Sequence, residues 1–380
     1  MKRILIVSSS FPYYGGQSTT AYNLHKLLTA NGYECRIVFI LNSSQGDIDP
    51  ENTGNVSSVI LGNNITNKIK KILFRKSPSN LSKGVQNTSR KAFQIFIIIP
   101  KIIKLLILKR FYPNLVICNV PFYFSILKFL PFKKSYVIGS IFELHKYATS
   151  NKDAHYFISS FNKNIPSSFI PFLSYNLNRV LFNSPLTASI MGIIENKNYL
   201  NNVQYFNIQY LKIEKPSEFH NRNYSIGFIS SDSNRVVKNT NLAFDIFKSF
   251  ETLEKYATGL NMSSFNNVLN TNLLGLITQV SIFKILSQTK LIIVTSYFDS
   301  SPSVVSEAIV NGANVLVSKN VGWNEYLPKE CVVENYFDKE EWINKANWLL
   351  KNHADYKEYL QIINGAEQQI LGWVENQLLY

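Results

Sequence analysis

Short apolar runs with strand character alternate along this chain with stretches of helical spacing, and the whole alternation occurs twice. The first series opens with "RILIVS" (3–8), followed beyond a glycine pair by a helical stretch from Ser18 to Asn31. Gly32 stands where a helix C-terminal glycine belongs, and "ECRIVFI" supplies the next strand. "VSSVIL", "NLVICN", "SYVIGSI" and "RVLFNS" continue the series, with helical segments between most of them. The pattern stops near residue 215 at the polar, proline-bearing "IEKPSEFHNRN", a candidate linker. It restarts with "YSIGFIS", a helix over 239–254, the strand "KLIIVTS", a helix through Glu307 and the strand "ANVLVS", with helices from Asp338 onward. Two such series predict an α/β protein of two doubly wound parallel-sheet domains facing each other. At 380 residues the chain also exceeds the size at which a single core keeps growing.

Composition removes several classes. With 46% apolar and 17% charged residues the chain is globular rather than disordered. Cys35, Cys118 and Cys331 lie far apart without metal or redox spacing and read as buried thiols in a reducing compartment. The apolar run in "MKRILIVSSSFP" is too short for a signal peptide. The longest apolar stretch, "AFQIFIIIPKIIKLLILKRF", is interrupted by Pro100, Lys101 and Lys104, which makes it a poor membrane span. A cytoplasmic protein is the expectation.

The formal charge of +14 is concentrated in one place. Between Asn52 and Phe142 there is no Asp or Glu but 15 Lys and Arg, leaving 24 of the 39 basic residues against all 25 acidic ones elsewhere. In "ITNKIKKILFRK" one helical face carries Ile65, Ile69, Ile72 and Leu73, and the other Lys68, Lys70, Lys71 and Arg75. Arg90, Lys91, Gln94, Lys101 and Lys104 gather loosely on one arc of a second helix over 90–109. Such helices suit an anionic membrane surface, and equally a solvated basic face. No nucleic-acid signature lies near the charges.

In doubly wound sheets ligands sit beyond the carboxyl ends of the strands, where helix N-termini present amides. That rule draws attention to "SYFDSSPSVVSEAIVNGANVLVS", residues 296–318, in which Asp299 and Glu307 are separated by seven residues. Asp299 falls in the loop after "KLIIVTS", Pro302 suits a first helical turn, and Glu307 lies one turn inside. The amides of Ser303, Val304 and Val305 would point at the same place. Amides and a helix dipole suit a diphosphate, and carboxylates accept from sugar hydroxyls. The plain alternative makes Asp299 a helix cap and Glu307 a solvated side chain.

Residues 291–327, "LIIVTSYFDSSPSVVSEAIVNGANVLVSKNVGWNEYL", resemble the donor-site motif of glycosyltransferase family 4, in which two acids stand seven residues apart before a glycine and a strand. The resemblance implies a retaining enzyme with the GT-B fold: two doubly wound, Rossmann-like domains facing across a cleft. It implies that Glu307 binds the nucleotide ribose and that Asp299 lies near the donor-sugar hydroxyls. The family usually has Glu at the latter position, one methylene longer. "FPYYGGQSTTAYNLHKLLTANGYE" is similar to the family's glycine loop and first helix, so that Gly15 and Gly16 would let backbone approach the donor phosphate. "RVLFNSPLTASIM" is similar to a strand ending in Asn-Ser, here Asn183 and Ser184. "IGFISSDSNRVVKNTNLAFDIF" resembles the opening of the second domain, where Arg235 and Lys238 match the diphosphate-binding pair at a shorter spacing than in many members. In "YVIGSIFELHKY", Phe142-Glu143 replaces the family's His-Asp pair, or Glu143 and His145 share its work, or His145 is a surface histidine.

The resemblance thus implies catalytic Asp299, Lys238, Arg235, His145 and Glu143, and donor contacts from Gly15, Gly16, Arg235, Lys238, Ser301, Ser303, Val304 and Glu307. It divides the chain into an acceptor-side domain over 1–215, a nucleotide-sugar domain over 216–365, and a C-terminal helix over 366–380 packing back on the first domain. The expected activity is hexosyl transfer from a nucleotide-diphosphate sugar to a saccharide or lipid-linked saccharide in cell-surface polysaccharide assembly. Neither metal nor other cofactor is expected, since cations and amides can neutralise the diphosphate. The basic segment places the protein peripherally on the inner face of the plasma membrane. The rival readings are a nucleotide-sugar epimerase of the same fold and a catalytically silent membrane-binding protein.

Overall fold

The computed structural model describes residues 2–9, 16–42, 56–61, 111–118, 135–139, 180–189, 198, 200–207 and 216–379. The two basic helices expected around 65–75 and 90–109 lie outside these, as do Gly15, Glu143 and His145. Among the described residues no helix is long and apolar enough to cross a membrane.

The first sheet contains β1 (Arg3–Ser9), β2 (Glu34–Asn42), β3 (Val56–Leu61), β4 (Leu115–Cys118), β5 (Ser135–Gly139) and β6 (Val180–Phe182) in the order β3-β2-β1-β4-β5-β6. The pairings β1–β2, β1–β4, β2–β3 and β4–β5 are all parallel. Ile4–Val7 and Leu115–Cys118 are buried without alternation, as expected where helices cover both faces of a parallel sheet. Helix α1 (Gly16–Ala30) buries Ala21, Leu24, Leu27 and Leu28, which share one face at helical spacing. It ends where the sequence requires. Gly32 takes φ 80, its N–H reaches the Thr29 carbonyl, and the Tyr33 N–H reaches that of Leu28, a Schellman motif.

The second sheet contains β7 (Tyr224–Asp232), β8 (Lys255–Leu260), β9 (Thr271–Leu273), β10 (Thr289–Val294), β11 (Asn314–Ser318) and β12 (Val332–Val333) in the order β12-β11-β10-β7-β8-β9. All five pairings are parallel. Numbered within its own half, this sheet repeats the winding of the first, so the two sequence series are two copies of one topology. Its core is built by Ile226, Phe228, Ile292, Ile293, Val315 and Leu316 from the strands, and by Phe247, Ala308 and Trp342 from the helices. The helices are α2 (Thr240–Lys248), α3 (Gln279–Leu286), α4 (Ser303–Val310), α5 (Lys339–Lys351) and α6 (Lys357–Leu379). Asp338 caps α5 by accepting from the Glu340 and Glu341 amides. Asn314 closes its other end, donating to the Leu349 and Asn352 carbonyls.

Two departures from the sequence reading have a common cause. The helix expected over 239–254 stops at Lys248, and β8, which the apolar pattern does not reveal, begins at Lys255. Lys255 is fully buried, and its ammonium donates to the carbonyls of Phe250 (2.7 Å), Leu253 (2.6 Å) and Glu251 (3.5 Å). A charged strand residue is hidden because it ties off the turn that ends the preceding helix. β9, α3 and β12 are likewise additions, short or polar enough to escape a periodicity test.

By compactness the chain forms two units, Met1–Ile138 with Leu371–Tyr380, and Gly139–Ile370.

Candidate functional site

In the second sheet β7 and β10 are neighbours from which the chain winds away in opposite directions, the topological switch point at which doubly wound sheets open a crevice. The two loops leaving their carboxyl ends, 233–239 and 295–302, are laced together. The Tyr297 N–H donates to the Val237 carbonyl (2.9 Å), and the Thr295 hydroxyl donates to those of Lys238 (2.9 Å) and Asn239 (3.1 Å). Asn239 turns the first loop into α2 with φ 49, a conformation asparagine tolerates better than most side chains. This lacing brings Lys238 to Asp299, and the ammonium donates to Oδ2 as a salt bridge. Their side chains are only 16% and 13% exposed, so the pair is partly withdrawn from water and poorly screened.

The third loop of the site follows β11. The Asp299 N–H donates to the Asn320 carbonyl (3.1 Å), and the Gly322 N–H donates back to the Asp299 carbonyl (2.7 Å). Gly322 has to be glycine: a Cβ there would stand 1.9 Å from the Ser300 carbonyl oxygen and 2.6 Å from the Ser184 side chain. Asn183 donates from its amide to the Ser300 hydroxyl (3.0 Å), and Asn207 does the same to Ser301 Oγ (3.0 Å).

Helix α4 begins at Ser303, with Pro302 immediately before it as N-cap rather than inside the first turn. Proline supplies no side-chain cap, and Asp299 is committed elsewhere, so the capping role that spacing allowed Asp299 is not the one it fills. Val304 is half-buried against the core. Glu307 is buried, not solvated. Burial pushes its carboxyl up to about 7, opposed by hydrogen bonds with Gln279 of α3 and Ser303. Desolvation of this size makes Glu307 a candidate for a functional site.

Arg235 is exposed, three residues before Lys238, with its guanidinium 3.4 Å from the Ser231 hydroxyl. Gly16 is the first residue of α1. The structure thus joins Lys238 to Asp299 and sets Ser301, Ser303, Val304 and Glu307 on the next turn of chain. Sequence reading passed over Ser300, Asn207, Gln279 and Trp323, whose signals are single polar or aromatic residues without a spacing to mark them. Among the described residues no group of three or more His, Cys, Asp or Glu side chains is arranged to hold a metal ion.

The chain matches no protein-family model and no curated protein by sequence. Solved structures match along its whole length. Sucrose-phosphate synthase from Thermosynechococcus elongatus superposes with a TM-score of 0.67 at 12% identity, covering 100% of this chain and 99% of that one. A TarM variant from S. aureus, solved with fondaparinux, alpha-GlcNAc-glycerol and UDP, gives 0.66 at 12% identity, covering 100% of both. WaaG, a glycosyltransferase involved in lipopolysaccharide biosynthesis, gives 0.58 at 11% identity, covering 96% and 95%. The fold is GT-B.

Proposed function

We propose that the protein is a retaining glycosyltransferase that moves a sugar from a nucleotide-diphosphate donor to a saccharide acceptor. The observation that carries this reading is the Lys238–Asp299 pair at the switch point of the second sheet, in the loop that leads into α4 and its buried Glu307. One site offers a cation and amides for a diphosphate, and carboxyls for ribose and sugar hydroxyls. On donor binding Lys238 exchanges the carboxylate for phosphate oxygens, and Asp299 is released to accept from the sugar. The acceptor hydroxyl then forms its bond to the anomeric carbon on the face from which the diphosphate departs. Its proton passes to the leaving diphosphate, whose growing charge Lys238 and Arg235 stabilise. No metal is needed for this scheme. Glu143 and His145 are proposed to meet the sugar or acceptor from the first half of the chain.

Structural neighbours that include a lipopolysaccharide glycosyltransferase support a cell-surface saccharide as acceptor. The acid-free basic stretch from 52 to 142 supports one presented at an anionic membrane. The test is a thermal-shift panel of nucleotide sugars followed by product analysis. A donor at 100 times its dissociation constant stabilises by about 2.7 kcal/mol. Transfer with retained anomeric configuration supports the proposal. Interconversion of the donor sugar would make the protein an epimerase, and binding of no nucleotide sugar would leave a silent GT-B scaffold.

A further inference from the structure

Trp323 has φ 69 and ψ 10, the left-handed region that a bulky side chain seldom enters and that glycine enters freely. Such an outlier persists only where its surroundings over-determine it. Here the indole N–H donates to the Asn183 carbonyl at 2.7 Å, and the ring meets buried Tyr205 edge-on with centroids 5.1 Å apart. Only 6% of the residue is exposed. The contacts around it close into a ring. Trp323 follows Gly322, Gly322 and Asn320 hold both backbone groups of Asp299, Ser300 follows Asp299, and Ser300 accepts from the side chain of the same Asn183 whose carbonyl holds Trp323. Asn183 therefore grips both ends of the segment pair that carries the carboxylate.

We infer that Trp323, acting through Asn183, is a positioning residue that holds Asp299 in register with Lys238. The inference rests on the proposed reading of that pair as the donor site, but its structural content can be measured separately. An aspartate has one methylene of reach, so a loop displaced by about 1 Å loses the contact on which orientation depends. Neither Trp323 nor Asn183 need touch substrate for this.

Two variants separate positioning from folding. Trp323→Phe keeps an aromatic ring and removes the donor, and Trp323→Gly suits the left-handed backbone while removing the side chain. Hydrogen exchange on the full-length protein is the first measurement. Amides in 297–301 and 319–323 are expected to exchange about tenfold faster in both variants, with the protection of β10 and β11 unchanged. Asn183→Ala should accelerate the same amides, and combining it with Trp323→Phe should add little, because both open one ring. With donor, kcat is expected to fall about tenfold while the affinity for the nucleoside diphosphate stays within about twofold, since only the sugar loses its orientation. Unchanged exchange in both tryptophan variants overturns the inference, and so does acceleration spread evenly over the second sheet, which would mean general destabilisation. A wild-type protein that turns over no nucleotide sugar overturns the proposed function alone, and the exchange data still decide the positioning role.

Discussion

The two edges of the second sheet use buried cations in different ways. At the amino edge, Lys255 donates to three backbone carbonyls, and Arg222, just before β7, donates to the carbonyls of Ser217 (3.1 Å) and Thr289 (2.7 Å) and to that of Gly312 at the end of α4. Gly312 itself, at φ 74, leaves no room for a Cβ, which would lie 2.6 Å from the Arg222 guanidinium. At the carboxyl edge, Lys238 meets a carboxylate on a different loop. A cation among backbone carbonyls has no alternative partner, because moving it would strand groups that need a donor. A cation paired with a carboxylate can exchange that partner for a phosphate where the freed carboxylate finds hydroxyl donors on the same ligand. On the proposed function, the amino edge serves stability and the carboxyl edge serves exchange.

Lys238→Met should test the exchanging edge most severely. Removing a cation that stabilises leaving-group charge typically costs 10²–10³ in turnover, roughly 3–4 kcal/mol of transition-state stabilisation. Stability should fall by less than turnover, because Asp299, 13% exposed, keeps only part of its contact with water when its cation is removed. Steady-state kinetics and calorimetry on one preparation decide it, and a large loss of stability with turnover preserved would reverse the assignment of the two edges.

The mirror experiment is Lys255→Met. The methionine fills the same volume but leaves the Leu253 carbonyl without its donor and the Phe250 carbonyl with only the Leu253 amide, and a buried group left without a partner costs about 1–3 kcal/mol. A loss of about 3 kcal/mol in chemical denaturation is expected, with kcat per folded molecule unchanged.

How much of this contrast could be read from the chain depended on whether a residue belonged to a pattern. Both windings of the fold were legible because "RILIVS" and "KLIIVTS" carry continuous apolar character, and Gly32 marks a helix end by a property no other residue shares. β8 was not, since "KYATGL" puts a lysine and a threonine in the core, the lysine acceptable only through carbonyls of the turn before it and the threonine only through the Gly275 carbonyl. At the site, the spacing of Asp299 and Glu307 drew attention to one loop and the helix that follows it. It could not distinguish a capping from a paired Asp299, or a solvated from a buried Glu307, because those depend on where Lys238 and α3 arrive. Trp323 was invisible for a further reason: its left-handed backbone is held by Asn183, 140 residues away.

Glu307→Gln sharpens the comparison by removing a buried group that works against stability. The folded protein holds a proton on this carboxyl up to about pH 7, whereas the unfolded chain releases it near the ordinary value of 4.5. Protons are thus bound preferentially by the folded state between those values. Stability contributed by this group is fully present below 4.5, declines as pH rises to about 7, and is constant above, a loss of about 3 kcal/mol in all. The amide has no charge to bury. The variant should match wild type near pH 4.5 and exceed it in denaturation free energy at about pH 8. Donor affinity should move the other way, because a carboxylate hydrogen bond to ribose is worth roughly 1.5–3 kcal/mol. For wild type, donor binding should strengthen with rising pH and level off above about 7, and the variant should lose that slope. A flat profile in wild type would mean that Glu307 meets no ligand.

The smallest effect belongs to Arg235, and it tests whether burial is what makes the carboxyl-edge cation potent. Arg235 lies in the same loop as Lys238 and carries the same charge, yet it is exposed. An exposed cation acts on a diphosphate through water, a contribution of about 0.5–1 kcal/mol that salt screens over about 8 Å. Arg235→Ala should therefore weaken donor binding only a few-fold at low salt, and the difference from wild type should vanish near 0.5 M salt, roughly. The Lys238→Met defect should survive the same titration, because its partner is shielded by the loops that enclose it. Isothermal titration at several salt concentrations measures both. A salt-insensitive loss of about a hundredfold in Arg235→Ala would show that the 233–239 loop folds over the ligand and buries the arginine, and exposure in the empty protein would then no longer rank the two cations.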